Sequence, residues 1–214
     1  MAARTQIKIC GINSTGSLEA AIAARASHAG FNFFPPSPRF AGPDLAAQLS
    51  QQAAGRIVRV GVFVDADDAF LAQTLAASPL DALQFHGAES PERVAQAKFH
   101  FGLPVWKVLS VSAREDLPRA QNYAGAADFL LLDAKTPKGT LPGGMGLSFD
   151  WNLLNGWQSP LPWGLAGGLS PSNVPEAVRR TQAPLVDTAS GVESAPGVKD
   201  AGLLAAFCQA ARAA

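Results

Sequence analysis

Short runs of β-branched and aromatic residues alternate with alanine-rich stretches of helical length along the whole chain. The runs predict strands at "TQIKIC" (5–10), "FNFF" (31–34), "IVRVGVFV" (57–64), "LDALQF" (80–85), "LPVWKVL" (103–109), "DFLLLD" (128–133), "PWGLAG" (162–167) and "APLVDT" (183–188). The stretches between them predict helices over 17–28, 43–53, 67–77, 90–100, 113–123, 149–155, 171–181 and 200–212. Ser90-Pro91 and Ser170-Pro171 read as N-caps with proline at the first helical position. No linker or low-complexity segment interrupts this alternation. Strands alternating with helices predict a parallel sheet. Eight such units predict an α/β fold of one domain over 1–214, a closed (β/α)₈ TIM barrel, in preference to an open doubly wound sheet.

A barrel of this kind places its active site at the C-terminal ends of the strands and in the loops that follow. Side chains alternate along a strand, so strand ends can be sorted by face. With Ile7 and Ile9 turned outward to the helices, Lys8 and Cys10 point inward. By the same parity Gln84 and His86 share a face, as do Phe129, Leu131 and Asp133.

Charge narrows the partners. Lys+Arg and Asp+Glu both total 17, so there is no basic surplus for nucleic acid or an anionic membrane. The start, "MAARTQIKIC", lacks the apolar core of a secretory signal, and no apolar run approaches the ~18 residues of a membrane span. Cys10 and Cys208 stand at opposite ends and resemble neither a disulfide framework nor a zinc site. The expectation is a cytoplasmic protein without metal, acting on a small molecule, as monomer or homodimer.

Three features carry candidate chemistry. Cys10 ends the first strand and Asp133 the sixth, so the two face each other across the barrel mouth. A thiol and a carboxyl placed so can divide base and acid duty, provided the thiol pKa falls from ~8.5 toward neutrality. Lys8, one layer below, is the candidate cation. The bland readings are a buried filler thiol and an aspartate capping its own loop. The loops "LAGGLSPSN" (165–173) and "DTASGVES" (187–194) follow strands seven and eight, where such barrels bind phosphate. Gly167 and Gly168 let the backbone approach an anion, and Ser190 and Gly191 complete the cradle. Arg39, in the loop after the second strand, either clamps a carboxylate with its planar fork or is solvated. His86 either orients substrate or serves structure.

Taken in order, "KICGI" (8–12), "GFNFFPPSPR" (30–39), "VGVFVD" (60–65), "LQFHGAES" (83–90), "LLLDAKTPKGTLPGGMGLSFDW" (130–151), "LAGGLSPSNVPEA" (165–177) and "VDTASGVESAPGVKD" (186–200) resemble the motifs of phosphoribosylanthranilate isomerase. The resemblance implies a (β/α)₈ barrel of tryptophan biosynthesis. Such an enzyme converts N-(5′-phosphoribosyl)anthranilate to 1-(o-carboxyphenylamino)-1-deoxyribulose 5-phosphate by an Amadori rearrangement, without cofactor or metal. It assigns the base to Cys10, the acid to Asp133, the anthranilate carboxylate to Arg39 and the phosphate to the backbone at Gly167, Gly168, Ser190 and Gly191. Asp187 is implied to bond a ribose hydroxyl or to support the acid–base pair. The chain departs from the family's common pattern at Asn13, Met145 and Ala189, none of them a proposed catalytic position. The polar, glycine- and proline-rich stretch 135–146 reads as a loop closing over substrate. Two rival readings are another phosphosugar isomerase or epimerase on the same barrel, and a non-catalytic barrel that binds a phosphorylated ligand. Relatives of the first kind use aspartates at the ends of strands one and five, where this chain has Cys10 and Leu109-Ser110.

Overall fold

The computed structural model describes residues 5–134 and 150–214. The expected closing loop at 135–146, with Met145, lies outside them. Eight parallel strands close on themselves in sequence order. They are β1 (Gln6–Cys10), β2 (His28–Asn32), β3 (Val58–Phe63), β4 (Ala82–Phe85), β5 (Val105–Val111), β6 (Phe129–Ala134), β7 (Trp163–Leu165) and β8 (Leu185–Thr188). Closure is made by β1 against β8, with Lys8 opposite Asp187 and Ile9 opposite Thr188. Around the barrel run α1 (Thr15–Ala23), α2 (Pro43–Ala53), α3 (Asp68–Ala77), α4 (Pro91–Phe101), α5 (Val174–Thr181) and α6 (Ala201–Arg212).

Strand parity divides the interior into two cores. Ile7, Ile9, Phe31, Phe63, Phe85, Leu130 and Leu132 face outward and pack with Leu18, Leu49, Leu71, Val94 and Phe207 of the helices. Each such large side chain removed from water contributes about 1.5–3 kcal/mol. A smaller inner cluster, Val60, Ala82, Trp106, Val108, Leu131, Ala166 and Leu185, fills the barrel itself. The polar residues Lys8, Gln84, Asp133 and Asp187 are buried as well. Ile7 and Ile9 are thus turned to the helices, as the alternation predicts.

Several elements differ from their predicted extents. The first helix stops at Ala23 rather than 28, because Arg25 takes a left-handed conformation (φ 57°) and ends the spiral. Ser27 then bonds Ile7 N–H and C=O at 2.9 and 2.8 Å, pulling the chain into β2 at His28, three residues before the predicted start. Residues 114–123 form 3₁₀ turns, not an α-helix: Pro118 removes an N–H inside the segment, and Asp116 accepts from the Ser112 and Ala113 amides. The predicted helix 149–155 is a single 3₁₀ turn over Trp151–Leu154 among the described residues. Ser90 caps α4 as expected, accepting from Arg93 N–H at 3.3 Å. Ser170-Pro171 opens a turn, and α5 starts only at Val174. The fifth strand runs on to Val111. After β8 come a 3₁₀ turn at Ser190–Val192 and an unpredicted antiparallel ribbon, β9 (Glu193–Ala195) with β10 (Val198–Lys199).

Candidate active site

The first and eighth strands bring together three polar side chains on the inward face. Lys8 is fully buried, and its Nζ donates to Asp187 Oδ1 at 3.0 Å. Burial alone would lower the lysine pKa, but Asp187 and Cys10 outweigh it and hold Lys8 cationic, above its ordinary value. The charge of Lys8 also acts on Cys10, the last residue of β1. The expected fall in the thiol pKa is not what the site produces. Burial pushes Cys10 up; Lys8 pulls it down, but Asp187 adds its own negative charge, and a second lysine, Lys199, contributes a smaller downward pull.

Across the mouth, Asp133 ends the inward row Phe129–Leu131–Asp133 of β6. Its Oδ1 accepts from the Ala134 amide at 2.8 Å, and its Oδ2 lies 3.3 Å from His86 Nε2. His86 follows β4, whose end is pinned by the His86 amide donating to Phe63 O at 2.8 Å. Gly167 closes over Asp133: it sits at φ +86°, and a Cβ there would lie 2.6 Å from the Ala134 nitrogen and 3.0 Å from Asp133 Oδ1. Only glycine suits that conformation and that approach. Asp133 and His86 both act electrostatically on Asp187, the carboxylate repelling it and the imidazole attracting it. Two polar groupings therefore face each other on the inward side, Lys8 with Asp187 beside Cys10 and Asp133 with His86, and only charge acts between them.

The two glycine-containing loops lie side by side. Thr188 Oγ1 donates to Leu169 O at 2.7 Å, tying the loop after β8 to the loop after β7. Asn173 closes the latter on itself, its Nδ2 donating to Gly168 O at 2.9 Å and its Oδ1 accepting from Ser170 N at 2.8 Å. Ser190 and Gly191 lie in the 3₁₀ turn Ser190–Val192 that follows β8.

Arg39 is buried, with its guanidinium on Glu193: Nε to Oε1 and Nη2 to Oε2, both 2.8 Å. The same carboxylate accepts from Lys199 Nζ at 2.7 Å and from Gly197 N at 3.2 Å. Burial would raise the Glu193 pKa, yet Arg39 and Lys199 hold it below the usual carboxylate range. Arg39 is thus not a solvated loop arginine. Glu193 and Lys199 escaped the sequence reading because strands of three and two residues carry no periodicity; their only signal was their charge in the largely small, apolar stretch "GVESAPGVKD". Both members of the His86–Asp133 pair were found by parity, but nothing in the sequence joined them. Among the described residues, no cluster of three or more His, Cys, Asp or Glu is placed to hold a metal ion. Nor is any helix among them long and apolar enough to cross a membrane.

Residues 7–210 match the family described as N-(5′-phosphoribosyl)anthranilate isomerase. A protein of that name from Paramagnetospirillum magneticum is 53% identical over 208 residues, 97% of each chain. The crystal structure of phosphoribosyl anthranilate isomerase from Thermotoga maritima superposes with a TM-score of 0.88 at 33% identity, covering 98% of this chain and all of that one. A structure of such an isomerase in complex with reduced 1-(o-carboxyphenylamino)-1-deoxyribulose 5-phosphate superposes at 0.85, with 31% identity and coverage of 98% and 100%.

Proposed function

The chain belongs to the N-(5′-phosphoribosyl)anthranilate isomerase family, and on that premise we propose that it rearranges its aminoaldose substrate with Cys10 as base and Asp133 as acid. Asp133 would protonate the furanose ring oxygen. The C1′–O bond then breaks as the anthranilate nitrogen lone pair forms a C1′=N iminium. Deprotonated Cys10 would take the C2′ proton, and the C–H electrons become the C1′=C2′ bond of an enolamine, neutralising the nitrogen. Tautomerisation gives the ketone at C2′, the product of a step in tryptophan biosynthesis. His86, 3.3 Å from Asp133, would steady the carboxylate left after proton donation. The iminium is itself a cation formed beside Cys10, so thiolate is favoured when the reaction needs it. The reading takes Arg39 for the anthranilate carboxylate, the backbone of Gly167, Gly168, Ser190 and Gly191 for the phosphate, and Asp187 for holding Lys8 beneath the thiol. It needs no cofactor, and it describes a cytoplasmic single-domain enzyme, monomer or homodimer.

One observation carries the assignment: a thiol beside the Lys8–Asp187 pair on one side of the mouth, and a carboxylate–imidazole pair on the other. A phosphosugar epimerase working through aspartates at strands one and five has no such pair here, since β1 ends in Cys10 and β5 in Val111. The test follows the fluorescence of phosphoribosylanthranilate. Wild-type protein should make it decay. Asp133→Asn should slow the decay by about 10²–10⁴-fold, the usual share of one general acid, while a product analogue still binds. Absence of decay with wild-type protein favours a binding barrel; near-normal turnover by Asp133→Asn overturns the acid assignment.

A further inference from the structure

Glu193 has no part in the chemistry above, yet its carboxylate joins three pieces of the mouth. It grips Arg39 from the loop after β2 with two parallel bonds of 2.8 Å. It accepts from Lys199 at 2.7 Å, and Lys199 also donates to Ala189 O, in the loop after β8, at 2.9 Å. The Arg39 stem lies flat on Gly11, beside Cys10: Gly11 has φ +76°, and a Cβ there would sit 2.5 Å from Arg39 Cδ. All three side chains are nearly closed to water, at 10, 4 and 1% exposure for Arg39, Glu193 and Lys199.

The charge count decides what such a cluster does. Arg39 and Glu193 alone would be a neutral pair with little pull on an incoming anion. Lys199 offsets the glutamate, so the three groups together keep one positive charge. A bidentate carboxylate fixes a guanidinium in both plane and angle, which a single lysine contact would not. We propose that Glu193 is a positioning residue, backed by Lys199, that aims Arg39 at the aromatic carboxylate and so sets the preference of the site for an ortho-carboxylated arylamine. The proposal rests on the reading of Arg39 as the carboxylate clamp. A cluster that merely fastens the loop after β8 would instead weaken all ligands alike.

The test measures binding by calorimetry of two probes: the reduced product analogue, and the same compound without its carboxyl group. It also measures kcat and KM for phosphoribosylanthranilate. Glu193→Gln should weaken the carboxylated probe about tenfold and leave the carboxyl-free probe unchanged, as expected for loss of an aligned, charge-assisted contact. KM should rise while kcat holds within about threefold. In the double variant with Arg39→Ala, Glu193→Gln should add nothing further. Equal weakening of both probes, or no weakening of either, overturns the proposal. If Arg39→Ala alone leaves the carboxylated probe unaffected, it is the clamp reading that fails. Should Glu193→Gln not fold, Glu193→Asp keeps the charge but withdraws the fork, and the same selective loss is expected; an equal loss for both probes again overturns the proposal.

Discussion

In the proposed mechanism Cys10 works as a base although burial favours its neutral form. The sequence places Lys8 on the same face, which suggests a thiol activated by a neighbouring cation. The structure shows why that is insufficient: Asp187 takes the lysine at 3.0 Å and adds a negative charge near the sulfur. In the free protein the thiol therefore titrates above its ordinary value, with burial the largest cause. The expected pH profile of kcat/KM, which reports the free enzyme, rises with pH along a limb lying above the ~8.5 of a free thiol. Lys8→Met removes the main opposing influence and should move that limb further to the alkaline side; an unmoved limb would sever Cys10 from it. Cys10→Ser should cut the rate severely, because a hydroxyl is a far weaker base. If only thermal stability changed, Cys10 would be packing. Alternation along strands is a strong rule, so Cys10, Lys8 and Asp133 were legible. Glu193 and Lys199 were not, because strands as short as β9 and β10 show no alternation to follow.

Among whole elements, strands were read better than helices, and the errors have local causes. Seven strands overlie their predicted runs closely, because each is an apolar stretch bounded by polar or turn residues. The second, β2, starts early at His28, since nothing in "AARASHAG" marks the end of α1. A lone arginine in a left-handed conformation leaves no sequence trace, unlike glycine. The 3₁₀ segment over Arg114–Tyr123 was masked by polarity typical of an exposed helix, although Pro118 was visible. Of the two explicit start signals, the boundary held at Ser90 before α4 but not at Ser170-Pro171, where α5 begins only at Val174. Ser90→Ala should therefore cost about 1 kcal/mol, lowering Tm by roughly 2–4 °C in a chain of this size. A thermal melt checks it, and an unchanged Tm would show that Pro91 suffices to start the helix.

For the molecule as a whole, the inner core sets an acid limit on stability. His28 lies inside the barrel, its Nδ1 2.8 Å from Ser27 Oγ and its ring edge-on to Trp106 at 5.2 Å. Burial, and then the charge of Lys8, press its pKa from 6.5 down to about 4. The unfolded chain takes up this proton first on acidification, so stability present above pH 6.5 is lost as pH falls toward 4. The loss is about 3 kcal/mol from this one group. Denaturant melts across that range should show the slope in the wild type and a shallower one in His28→Gln; parallel curves would clear His28 of the effect. The eightfold alternation made this closed architecture legible, whereas which polar groups would be trapped inside it depended on registers that no single strand reveals.

The pairing of β1 with β8 has one more consequence, in time rather than in space. Lys8 and its partner Asp187 are separated by 179 positions along the chain, so a ribosome delivers the thiol and its lysine among the first residues and the carboxylate that pairs with that lysine almost last. Closing so long a span costs little extra entropy beyond a medium one, but it must come late in folding. Catalysis is then a signature of barrel closure. During refolding, helical signal should return before activity does, and no nascent chain that stops short of β8 should turn over substrate.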